Sequence, residues 1–121
     1  MDKTDLFSER VRELRERKAK TDPSSFSIRK VAQRIDVEPS YLSKIERGLV
    51  PPPGEETIKA LAKELDENED VLLGLAGKIS TEVKNIIRRR PQKFAELIRA
   101  LKGTSEKDLD KLVRVVHDGD W

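Results

Sequence analysis

The chain has 121 residues, 40% charged and 36% hydrophobic, with a formal net charge of +2. That length holds one domain, or a small domain with an appendage, and not a two-lobed enzyme. The absence of cysteine and the single histidine exclude disulfides, thiolate or paired-His metal sites within the chain, and a cysteine nucleophile.

Charge is unevenly placed. Residues 1–54 carry 12 Lys/Arg against 9 Asp/Glu, residues 55–77 carry 2 against 7, and residues 78–102 carry 8 against 2. Two basic blocks around an acidic one suggest polyanion contact at selected surfaces, with a well-solvated helical surface as the plain alternative. No apolar run approaches the roughly 20 residues of a membrane span. Met1-Asp2-Lys3-Thr4-Asp5 lacks the basic-then-apolar order of a signal peptide. A cytoplasmic location without membrane contact is expected.

Nearly every segment reads as helix. Residues near 4–18 put Phe7, Val11 and Leu14 on one stripe, with charges on the other face. Lys18 to Ser25 contains Thr-Asp-Pro-Ser-Ser and reads as a loop. Ser27 is a good N-cap for a short helix with Ile28, Val31, Ala32 and Ile35 inward. Asp36-Val37-Glu38 forms a turn, and Asp36 occupies a position that favours positive φ, which Asp tolerates better than most residues. Pro39 opens the next helix, where no N–H donor is needed, and Gly48 closes it.

Pro51-Pro52-Pro53-Gly54 is a stiff connector. Ile58, Leu61, Ala62 and Leu65 mark a fourth helix. Asn68 caps a fifth with Val71, Leu72 and Leu75 inward, weakened or ended by Gly74 and Gly77. Ser80 caps a sixth helix bearing Val83, Ile86 and Ile87. Pro91 starts a seventh with Phe94, Leu97, Ile98 and Leu101, closed by Gly103. Ser105 to Asp108 resembles a capping box opening an eighth, which carries Leu109, Leu112, Val113 and Val116 and stops at Gly119. The expected division is residues 1–77 and residues 78–121.

The informative stretch runs from Ser27 to Gly48. It reads as two short helices joined by a tight turn, with small Ala32 allowing close approach. Burying Leu42 and Ile45 forces Pro39, Ser40, Ser43, Lys44 and Arg47 to face solvent. That face is short-chained at its start and basic further on, which suits the major groove of DNA.

The run Ser40-Tyr41-Leu42-Ser43-Lys44-Ile45-Glu46-Arg47-Gly48 resembles the helix-turn-helix of the XRE (Cro/CI-type) family of bacterial and phage transcription regulators. Glu56-Thr57-Ile58-Lys59-Ala60-Leu61-Ala62 resembles the following helix, and the likeness spans roughly Leu6 to Leu75. The resemblance implies an all-α chain: a five-helix, lambda-repressor-like DNA-binding domain, followed here by a C-terminal extension of about three helices.

It also implies roles. The helix from Pro39 is the recognition helix, with Pro39, Ser40 and Lys44 at base-reading positions. Ser27, Arg29, Tyr41, Ser43 and Arg47 sit nearer the DNA backbone, while Ile45 and Glu46 are structural. Ile28 stands where members often have Gln, so phosphate grip falls to residues such as Arg29 or Lys30, and the Lys18–Ser25 loop is longer than usual. Pro39, in place of a polar reader, offers only apolar contact.

The implied function is a sequence-specific, double-stranded-DNA-binding regulator, a homodimer on an inverted repeat, with no cofactor and no metal. A different class is a protein-interaction module, an antitoxin or adaptor gripping a partner through the C-terminal helices. An enzyme is not expected, because the chain lacks a Gly-rich phosphate loop and a paired-carboxylate motif. Arg88-Arg89-Arg90 with Lys84 and Lys93 reads as a solvated face before a second nucleic-acid contact.

Overall fold

The computed structural model describes residues 3–118, with side chains from Leu6 to His117. Eight helices follow one another: α1 Lys3–Thr21, α2 Ile28–Arg34, α3 Pro39–Glu46, α4 Glu55–Glu64, α5 Glu69–Leu75, α6 Thr81–Arg89, α7 Pro91–Leu101 and α8 Glu106–Asp118. There is no strand among the described residues. The all-α expectation and its order of elements therefore hold. The chain divides into two compact units, one through Ser80 and the other from Thr81 onward.

In the first unit α2, α3 and α5 have only seven or eight residues. Helices that short are marginal alone in water, so tertiary packing must hold them. Phe7 and Val11 of α1, Val31 and Ala32 of α2, Leu42 and Ile45 of α3, Ile58 and Leu61 of α4, and Leu72 and Leu73 of α5 are all buried in one cluster. Each large apolar side chain buried there contributes about 1.5–3 kcal/mol.

Helix ends are set locally. The Ser27 hydroxyl accepts the Lys30 N–H at 3.2 Å, and the Asn68 side-chain oxygen accepts the N–H groups of Asp70 and Val71. After α2, the Val37 N–H donates to the Ala32 carbonyl at 3.0 Å and the Asp36 N–H to Gln33 at 3.3 Å. Those two bonds make a Schellman motif, whose turning residue must be left-handed. Asp36 takes that role at φ 61°. The same paired bonds close α3 at Gly48 (φ 70°) and α4 at Asp66 (φ 55°).

Two expectations need correction. Lys18 to Thr21 is the last turn of α1 and not a loop. Lys and Ala favour helix, and the break comes at Asp22, which Pro23 keeps out of the helical region. The remaining turn closes on Asp22, whose carbonyl accepts from Ser25 and Phe26. In α5, Leu72 and Leu73 are buried and Leu75 is half-buried against the core, whereas Val71 is exposed. A helix under two turns long fixes its apolar phase poorly from sequence.

The second unit is built differently. The Ser105 hydroxyl accepts the Asp108 N–H at 3.1 Å, as the capping signal implied. Yet no residue of α6 or α7, and no described residue of α8, is buried. Ile86, Leu97, Ile98, Leu112, Val113, Val115 and Val116 are exposed. The expected stop at Gly119 lies outside the described residues.

Asp36→Val should destabilise the first unit by about 1–2 kcal/mol, because a branched Cβ is costly at positive φ, whereas Asp36→Asn should be nearly neutral. Denaturant titration of the two variants checks this, and a neutral Val would remove the strain from the account.

Candidate nucleic-acid interface

The α2–turn–α3 segment separates its residues by face. Leu42, Ile45 and Glu46 of α3 are buried. Pro39, Ser40 and Lys44 are exposed, as is Arg47 at the helix end, and Ser43 is half-buried. Helical geometry puts Ser40, Ser43, Lys44 and Arg47 on one outward strip, with Pro39 at its leading end. Tyr41 is half-buried and packs against the core. Arg29 is exposed on α2, and Ser27 is half-buried. The Ser27 oxygen is occupied in capping, which leaves its proton available to an outside acceptor. All eight residues singled out in the sequence thus lie in α2, α3 or the residues capping them.

The pair that fixes this arrangement is Arg15 of α1 with Glu46 of α3. Arg15 Nε donates to Glu46 Oε2 at 2.6 Å and Nη2 donates to Oε1 at 2.9 Å. The two side chains are 12% and 3% exposed, so this is a nearly buried bidentate pair. Hydrogen bonding to Glu46 raises the Arg15 pKa above the ordinary arginine value, against the desolvation that lowers it. A third donor, Nη1, reaches the carbonyl of Phe26 at 3.1 Å, one residue before the α2 cap. One guanidinium thereby ties the start of α2 to the end of α3. The Phe26 ring is itself approached by two cations, Lys18 Nζ at 5.3 Å from its centroid and the Arg34 guanidinium at 5.1 Å.

Sequence reading gave Glu46 a structural role but left Arg15 among the solvated charges of α1. The structure corrects that: Arg15 is largely buried. The only advance signal was Arg15 standing next to the buried Leu14.

Several cations elsewhere in this unit meet carboxylates, although among the described residues Arg12, Lys20, Lys63 and Lys78 do not. Arg10 pairs with Glu67 at 2.9 Å, Arg34 with Glu64 at 2.7 Å, Lys18 with Asp66 at 2.5 Å and Lys59 with Glu55 at 3.0 Å. Arg17 pairs with Glu13. Among the described residues, no carboxylate pairs with Arg29, Lys30, Lys44 or Arg47; the Arg47 Nε donates only to the Ser43 carbonyl at 3.3 Å. The face of α2 and α3 therefore presents positive charge that the protein does not cancel. A groove beside it is lined by Arg29, Lys30, Gln33, Asp36, Glu38 and Pro39.

A family model described as a helix-turn-helix domain matches residues 6–72, more than half of the chain. The chain belongs to this family. A solved structure described as a SinR protein/SinI protein complex contains a chain that aligns over 95% of this one and 98% of itself, at 21% identity and a TM-score of 0.50. That likeness supports the fold. No curated protein matches the chain significantly. As a helix-turn-helix protein, it falls among DNA-binding regulators, with α2 and α3 as the two helices joined by the turn. Among the described residues, no helix is long and apolar enough to cross a membrane.

Glu46→Ala leaves a nearly buried guanidinium without its carboxylate and should cost about 3–5 kcal/mol, a large share of the roughly 5–15 kcal/mol that holds a domain together. Arg15→Met combined with Glu46→Leu should recover most of it, because the desolvation penalty vanishes with both charges. Chemical denaturation of the single and double variants decides the matter; a loss under about 1 kcal/mol for Glu46→Ala would mean that the pair is incidental.

Proposed function

We propose that the chain is a sequence-specific transcriptional regulator that inserts α3, extended to Arg47, into the major groove of double-stranded DNA. The observation carrying this reading is the uncancelled charge on the α2–α3 face, beside a strip of small polar side chains at the leading end of α3. Pro39 and Ser40 approach base edges there, and Lys44 donates to guanine O6 and N7. Ser27, Arg29, Tyr41, Ser43 and Arg47 contact the backbone and set the register. The family favours a regulator over a catalyst.

Dimerisation is the second part of the proposal. Three amphipathic helices without a buried side chain among the described residues, in a unit spanning only Thr81–Trp121, need a partner surface to be stable. A second copy provides one, and twofold symmetry would set two recognition helices about 34 Å apart on an inverted repeat. The same exposed residues support another reading, capture of a different protein by residues 78–121. The solved structure aligned with this chain is itself a complex of two proteins. A cytoplasmic location follows from the proposed target.

Lys44→Ala should blur base preference at one operator position by about 1–3 kcal/mol while leaving the others intact. Selection from random DNA reads this directly, and an unchanged preference removes Lys44 from base reading. Wild-type affinity should fall steeply with salt, by a log–log slope of about 0.9 per phosphate contacted. For the dimer, sedimentation of the full chain should give twice 13.8 kDa, and Val113→Asp should return it to a monomer with weakened operator binding. A monomeric wild type would leave the partner reading standing in its place.

A further inference from the structure

Glu38 introduces α3, and its side chain has no use inside the protein. It is the N-cap residue, at φ −69° and ψ 139°, yet its carboxylate makes no capping hydrogen bond. Only its carbonyl serves the helix, accepting the N–H groups of Tyr41 at 3.0 Å and Leu42 at 3.1 Å. Ser, Thr, Asp or Asn would cap the helix better. The side chain is exposed. Arg29 and Lys30 line the same groove, but no ion pair reaches Glu38 among the described residues.

The donor and acceptor inventory of the outward strip is lopsided. Lys44 and Arg47 can only donate, Pro39 has no side-chain hydrogen-bonding group, and Ser40 and Ser43 can do either. Glu38 is the obligate acceptor at the leading end, where recognition helices place their base contacts. A carboxylate between phosphate walls is repelled unless a donor meets it. Guanine shows two acceptors in the major groove, and thymine shows one beside a methyl group. Adenine shows an amino donor, but next to the N7 acceptor, which opposes a carboxylate. Cytosine shows the N4 amino group alone.

We propose that Glu38 is a specificity-determining residue that accepts from the N4 amino group of a cytosine in each half-site. This rests on the major-groove reading above. The backbone anchoring of Glu38 holds the carboxylate at the helix entrance, and its charge penalises every other base at that position. The competing role is stability alone, since a negative charge is favourable near a helix N-terminus.

The test is selection from random duplex DNA with the full chain as wild type, Glu38→Ala and Glu38→Gln, with a thermal midpoint for each. The wild type should enrich cytosine at one position per half-site. Glu38→Ala should lose that preference about tenfold while binding unrelated DNA more tightly, because a charge facing phosphates is gone. Glu38→Gln should move the preference to adenine, whose N6 and N7 match an amide. A base preference in Glu38→Ala identical to that of the wild type, whatever happens to its thermal midpoint, overturns the assignment and leaves only the helix-end role. If Glu38→Ala does not fold, the Glu38→Gln preference decides alone, and retained cytosine without adenine overturns it. A wild type that enriches no motif defeats the DNA-reading proposal itself, and this assignment with it.

Discussion

A single guanidinium organises the first unit. Arg15 spends two donors on Glu46 at the end of α3 and a third on the carbonyl just before α2. Both helices are too short to be stable alone, and the turn between them fixes only their joint. What sets the far ends is a charge-assisted, bidentate contact in a nearly dry place, where geometry is strict and a missing partner is costly. Apolar packing of Val31, Ala32, Leu42 and Ile45 supplies most of the energy but tolerates small rotations. The Arg15 fork does not, and the outward strip of α3 inherits its direction from it.

The ion pairs divide the cations of this unit into two populations. Arg10 and Lys18 of α1, Arg34 at the end of α2 and Lys59 of α4 meet carboxylates from the acidic stretch between Glu55 and Glu67. Exposed pairs of this kind add little stability each. Their effect lies elsewhere: they lower competing positive charge on α1 and α4, where, among the described residues, Arg12, Lys20 and Lys63 remain without a carboxylate, and leave Arg29, Lys30, Lys44 and Arg47 uncancelled together on the α2–α3 face.

Much of this was legible in the sequence because it is local. Ser27 and Asn68 announce helix starts by chemistry that needs only the next three residues. Asp36 and Gly48 announce helix stops in the same way, and the spacing of Ile58, Leu61, Ala62 and Leu65 fixes the inward face of α4. The misses were long-range or short of information. Arg15 finds Glu46 31 residues away, and nothing in either neighbourhood states the pairing. Asp66 ends α4 as Asp36 ends α2, but it sits in a run of acids that reads first as charge. In α5 the sequence placed Leu72 and Leu75 against the core but took Val71 in place of Leu73, because seven residues hold too few turns to average out one exposed valine. Glu38 was read as part of a turn; only a cap without a capping bond shows that its side chain is idle.

The sorting of α3 into an anchored side and an outward side bears on how such a protein diversifies. Leu42, Ile45 and Glu46 hold the helix, whereas Ser40 and Lys44 are exposed and Arg47, also exposed, reaches only its own helix at the Ser43 carbonyl. Mutational drift at those outer positions is therefore nearly silent in folding terms. A duplicated copy could acquire a new target vocabulary one substitution at a time, without passing through an unfolded intermediate.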